Sequence, residues 1–132
     1  MYNYSRSIDK LRVGVVNLVI GHINDLEGVK IQGSEVKGAL KKVLISPQEG
    51  WDGWCMRLFT LQAGGHTPRH THPWPHINYI TSGQGLLELD NKVYELKEGS
   101  FAYIPSGKLH QFRNNSKQDF CFICIVPEEG EG

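Results

Sequence analysis

The sequence has no excess of charge, no long apolar run and almost no cysteine, and each shortage closes off a class of function. The 14 basic and 14 acidic residues cancel, and neither sign forms a block. There is no electrostatic basis for binding nucleic acid or an anionic membrane. The most apolar early stretch, residues 11–20, carries Arg12 and Asn17 and is about half the length a membrane span needs. Cys55, Cys121 and Cys124 are odd in number and sparsely placed, which suits a reducing compartment better than a disulfide framework. The opening MYNYSRSIDK has no apolar signal core, so a soluble, cytoplasmic protein is expected. At 132 residues the chain has the size of one domain, large enough to bury roughly two thirds of the surface its unfolded form exposes.

Helical periodicity is missing as well. What the chain has instead is a series of short apolar alternations separated by turn residues. Residues 13–20 read as a strand and residues 41–45 as another, ended by Ser46-Pro47. From Trp54 the alternation is regular: Cys55, Arg57, Phe59 and Leu61 share one face, with Trp54, Met56, Leu58 and Thr60 on the other. Gly64-Gly65 is expected to break that strand. Further strands follow over residues 76–81, 85–89, 93–96, 100–104, 108–113 and 120–126. Short strands at such even spacing predict an all-β sandwich or barrel. The division expected is an arm over residues 1–12, a barrel domain over 13–127 and a frayed tail over 128–132.

Four of the six histidines, His66, His70, His72 and His76, crowd into residues 64–83, GGHTPRHTHPWPHINYITSG. In an extended segment His70 and His72 point to the same side, because Thr71 alone separates them. The Pro73-Trp74-Pro75 corner has two residues of fixed φ. It turns the chain so that His76 on the next strand looks back at the same point. Neutral nitrogen donors suit Mn, Fe, Co, Ni, Cu or Zn rather than Ca or Mg. His22 and His66 fall outside this constellation and are expected at the surface or behind the ligands. Cys121 and Cys124 stand three apart in a strand, on opposite faces, and so do not chelate together.

Residues 99–114 read Gly, five residues, Pro-x-Gly, two residues, His110, three residues, Asn114. This resembles the second cupin motif at every fixed position. The first cupin motif resembles Gly64, His70, His72 and Gly83 with the spacings kept, but His76 stands where most members carry Glu. The chain is thus similar to the four-histidine subgroup of small single-domain bacterial cupins, and the run MRLFT together with HxHPWxH is similar to thermophilic, manganese-binding members. The resemblance implies a double-stranded β-helix, or jelly-roll barrel. It also implies one divalent transition metal per chain held by His70, His72, His76 and His110, and a homodimer. Mn or Fe is expected first, with Ni, Cu and Zn open. Exchanging a carboxylate for imidazole leaves the ion its full formal charge, which favours the lower oxidation state and sharpens Lewis acidity.

Strand parity and the family barrel together place Arg57, Phe59, Asn78, Phe112, Phe122 and Cys124 around the metal, with Trp74 at the rim. Arg57 either anchors an anionic substrate, is held by a carboxylate such as Glu88, or reaches solvent. A mostly apolar pocket is the usual form of a small-molecule site. The expected function is therefore a metal-dependent oxidoreductase, dioxygenase-like or peroxide-using, acting on a small, largely apolar substrate. A Lewis-acid isomerase or dehydratase of a sugar or uronate stays open, as does a ligand-binding module without turnover.

Overall fold

The computed structural model describes residues 8–9 and 18–131. Most of the expected arm over 1–12, and of the expected strand over 13–20, lies outside the described residues. What is described there is a small ladder, β1 (Ile8–Asp9) against β2 (Leu18–Val19). Nine further strands form one sheet. They are β3 (Val29–Lys30), β4 (Lys37–Ile45), β5 (Trp54–His66), β6 (His76–Ser82), β7 (Gln84–Leu89), β8 (Lys92–Lys97), β9 (Phe101–Ile104), β10 (His110–Arg113) and β11 (Phe120–Pro127). The helices among the described residues are single 3-10 turns.

The neighbour order is β8-β7-β10-β5-β11-β6-β9, with β4 on β5 and β3 on β4. This is a jelly-roll arrangement, a sheet rolled almost closed, and β5 is the strand that rolls it. Leu61 of β5 lies opposite both Ala39 and Phe120, whereas His66 at its end lies opposite Lys37 and Arg113. One strand thereby belongs to both layers.

The expected break at Gly64-Gly65 does not occur; β5 runs on to His66. A Cβ at Gly65 would lie 2.8 Å from the Lys37 carbonyl oxygen and 2.9 Å from those of Gln62 and Gly38. Glycine is what lets the strand pass between its neighbours here rather than what ends it.

The alternation in sequence becomes inside and outside. Along β6 His76, Asn78 and Ile80 are buried while Ile77 and Tyr79 are exposed, and along β11 Phe120, Phe122, Cys124 and Val126 are buried. The core joins the two layers through aromatic rings: Phe122 stacks on Phe112 with centroids 4.4 Å apart and on Phe59 at 5.5 Å. Each such ring contributes about 1.5–3 kcal/mol through burial. Asn114 staples the layers. Its Nδ2 donates to the carbonyls of Leu61 and Gln118 at 2.8 and 2.7 Å, and its Oδ1 accepts from the Ser116 amide and hydroxyl.

The segment expected to fray has contacts as far as it is described. Glu128–Gly130 forms a 3-10 turn, and Glu131 pairs with Lys41 and Arg57. Two buried-side cations hold a polar tail that composition alone marks as loose.

Candidate metal centre

The site forms where the two motif segments meet. His70 and His110 exchange backbone hydrogen bonds, N to O at 3.1 Å and 3.0 Å, and the Gly107 amide donates to the His72 carbonyl at 2.8 Å. The turn 105–107 and the loop 67–75 therefore lie edge to edge. His76 begins β6 across the barrel mouth.

His70, His72 and His110 offer ring nitrogens within 4.8 Å of one another, a cluster able to hold a metal ion. His76 joins them: its Nε2 is 3.2 Å from His110 Nε2, and its ring centroid is 5.3 Å from that of His72.

In His72, His76 and His110 the other ring nitrogen decides the tautomer. His72 Nδ1 lies 2.7 Å from the Trp74 carbonyl oxygen, and His110 Nδ1 lies 2.8 Å from that of Lys108. A carbonyl only accepts, so both Nδ1 atoms carry the proton. His76 Nδ1 is 2.7 Å from Asn78 Oδ1, and Asn78 Nδ2 donates to the Ile123 carbonyl, which gives the same tautomer. Three Nε2 lone pairs are left bare and turned toward one region.

At 3.2 Å the Nε2 lone pairs of His76 and His110 face each other. That contact repels unless a cation lies between them. Two nitrogens each about 2.1 Å from one ion and at right angles to each other are about 3.0 Å apart. The donor set thus fits a transition-metal ion.

Electrostatics agree. Burial, aided by the neighbouring His110, pushes His76 down to about 3, and burial pushes His110 down to about 4 against a hydrogen bond to Lys108 that works the other way. His70 is also lowered, by burial and by His72. Imidazoles kept neutral are ready to bind a metal without first releasing a proton.

The seven expected pocket residues, Arg57, Phe59, Trp74, Asn78, Phe112, Phe122 and Cys124, line one cavity of about 250 Å³ together with the four histidines. Trp74 stacks on His72, with centroids 4.9 Å apart and planes 11° apart. Asn78 both lines the cavity and accepts from His76 Nδ1. Cys124 is 3.6 Å from His76 Nδ1 and accepts from Arg57 Nη2 at 3.0 Å. Burial raises its thiol pKa and the Arg57 charge opposes this, so the sulfur is a buried thiol.

Arg57 does not reach Glu88. Its Nη1 lies 3.3 Å from Glu131 Oε1, while Glu88 pairs with Arg69 and Arg113 on the outer face. Arg57 lies in the part of β5 that pairs with β4 and β11, whereas Glu88 on β7 lies opposite β8 and β10, which residue spacing does not reveal.

His66 stands outside the cluster beside Thr67 and Gln111, and His22 caps a 3-10 turn by accepting from the Asn24 amide. Lys41, Gly130 and Glu131 line the cavity and carried no signal in sequence. Lys41 lay in an ordinary strand and the other two in a tail without pattern.

A rolled β-barrel with convergent histidines at its mouth defines the class. A cupin-domain family model matches residues 57–126, just over half the chain. The protein belongs to the cupin family. The polyketide cyclase RemF of Streptomyces resistomycificus has a similar structure, with TM-score 0.76 and 27% identity over 81% of this chain and 77% of that one. Polyketide synthase CurC of Streptomyces cyaneus is 25% identical over 81% of this chain and 64% of its own length. The 1-methylthio-D-xylulose 5-phosphate methylsulfurylase of Rhodospirillum rubrum is 27% identical over 80% of this chain and 67% of its own. An uncharacterized Methanocaldococcus jannaschii protein is 36% identical over 48% of this chain and 52% of its own. The chain thus spans about half to two thirds of the length of these curated relatives.

Proposed function

We propose that this cupin is a metal-dependent enzyme in which His70, His72, His76 and His110 hold one divalent transition metal, Mn or Fe first. In this reading it performs oxidative chemistry on a small, largely apolar organic substrate. The observation that carries the proposal is the pair of bare Nε2 lone pairs of His76 and His110, 3.2 Å apart in a cavity walled by aromatic rings. When bound, such an ion supplies Lewis acidity and, as Mn or Fe, a redox couple toward dioxygen or a peroxide.

The chain's own residues do the rest. Phe59, Phe112 and Phe122 exclude water and receive an apolar body. Asn78 and the carbonyls of Trp74 and Lys108 hold the imidazoles in one tautomer and one orientation. Trp74, stacked on His72, walls the mouth. The one buried cation in reach of the substrate space, among the described residues, is Arg57.

A second reading is supported by the names of the relatives. One is a polyketide cyclase and another a 1-methylthio-D-xylulose 5-phosphate methylsulfurylase, and neither name is that of an oxidase, which supports non-oxidative Lewis-acid chemistry.

Elemental analysis of protein purified without added metal tests the site. About one transition-metal ion per chain is expected, with His72→Ala and His110→Ala each lowering that content severalfold. Full metal content in both variants refutes the ligand set. Equal turnover with and without dioxygen or peroxide turns the choice to the second reading.

A further inference from the structure

One stretch of the cavity wall is cationic, and the chain's own Glu131 occupies it. Lys41 Nζ lies 2.8 Å from Glu131 Oε2, and Arg57 Nη1 lies 3.3 Å from Glu131 Oε1. Among the described residues these two cations share one carboxylate, which leaves one positive charge over. Arg57 is only 7% exposed, and its buried Nε has no hydrogen-bond partner among the described residues. The two oxygens that Nη1 reaches, of Glu131 and Gly130, both stand at 3.3 Å. Charge-assisted bonds of good geometry run about 2.7–2.9 Å. Its other contacts are Nη2 donating to the Cys124 sulfur at 3.0 Å and the Phe59 ring, 4.9 Å from Cζ to centroid, so among the described residues this nearly buried guanidinium has one empty donor, two long bonds and no short bond to an oxygen. Gly130 packs so closely on Trp74 that a Cβ there would stand 2.6 Å from the indole Nε1. The segment 128–131 therefore forms part of the cavity wall.

We propose that the substrate is an organic anion with an apolar body, and that its carboxylate takes the place of Glu131 on Arg57 and Lys41. Its body lies along Phe59, Phe122 and Trp74 toward the histidines. Glu131 is a tethered competitor that fills the anion subsite until the substrate arrives, and its release moves segment 128–131 off Trp74. This deepens the metal-enzyme reading, resting on it for the cavity being the substrate site. A side-chain carboxylate on a short tether competes at an effective concentration in the millimolar range, so its removal changes affinity measurably.

The test is calorimetric titration of benzoate, and of neutral benzamide as its shape control, into the full chain. It is run with Mn loaded and after chelation, on the unaltered protein, on Glu131→Gln, and on Glu131→Gln combined with Lys41→Met. Glu131→Gln should tighten benzoate at least tenfold and leave benzamide within twofold. Adding Lys41→Met should weaken benzoate at least fivefold, and both effects should persist after chelation. Unchanged benzoate affinity in Glu131→Gln overturns the proposal. Benzoate binding that vanishes on chelation also overturns it, since the carboxylate would then sit at the metal, and leaves the metal reading intact. A protein that takes up no metal, yet gains benzoate affinity in Glu131→Gln, keeps the anion subsite and sinks the metal reading.

Discussion

Lowering the pH of the metal-free protein should unfold it, and the histidine cluster sets where. His76 is 6% exposed and held down to about 3 by burial and by the positive field of its neighbours, whereas in the unfolded chain it titrates near 6.5. Below pH 6.5 the unfolded state takes up a proton that the folded state refuses. The stability linked to this group is complete above pH 6.5 and falls as pH drops toward about 3, where the loss levels off. The slope approaches about 1.4 kcal/mol per pH unit. By pH 5 the loss from His76 alone is about 2 kcal/mol, a large share of a domain stability of about 5–15 kcal/mol. His110, lowered to about 4 by burial, adds in the same direction. Urea unfolding of chelated protein at pH 8, 6 and 5 measures this. His76→Gln, which cannot titrate, should flatten the slope by about one proton, and bound metal should shift the whole loss to lower pH. A metal-free protein equally stable at pH 8 and pH 5, or an unaltered slope in His76→Gln, would show that the imidazoles are not desolvated as described.

Asn78→Leu removes the acceptor that fixes the His76 tautomer; metal affinity should fall about 10–100-fold in chelator competition, with Asn78→Asp restoring it. Phe122→Ala empties the space between Phe59 and Phe112 and should cost about 3–5 kcal/mol in denaturant unfolding. Gly85→Ala places a methyl against the Phe120 ring and 2.8 Å from the Arg113 carbonyl oxygen. It should cost about 1–3 kcal/mol as overpacking, read as a lowered Tm, whereas Gly99→Ala, with open space around it but φ at +89°, should cost less.

The sheet's strands and faces were legible because a strand's side chains alternate strictly. Phe122 and Cys124, or His110 and Phe112, share a face by parity alone, and burial along β6 and β11 follows it. Turn residues placed most boundaries within a residue or two. Two boundaries differ more: β4 begins at Lys37 rather than residue 41, and Gly64-Gly65 reads as a terminator, yet β5 passes through it, because a glycine that breaks a strand and one that admits a neighbouring backbone have the same local signature. The family pattern around His70, His72, His76 and His110 was likewise visible, since motif spacing encodes which loops meet.

The partners of charged groups were not legible. Arg57 pairs with Glu131, 74 residues away, and not with Glu88, and the tail read as frayed forms part of the cavity wall. Long flexible side chains reach across layers, and their partners depend on how the sheet rolls. Sequence by itself determined the alternating barrel strands and the grouping of the histidine donors. The tertiary structure alone decided which nitrogen of the His72, His76 and His110 rings is bare, that two of them stand 3.2 Å apart, and that Lys41, Arg57 and Glu131 meet in the cavity wall. Periodicity is a property of the local backbone, whereas tautomer, separation and long-range ion pairing follow from where the rolled sheet brings distant carbonyls and charges.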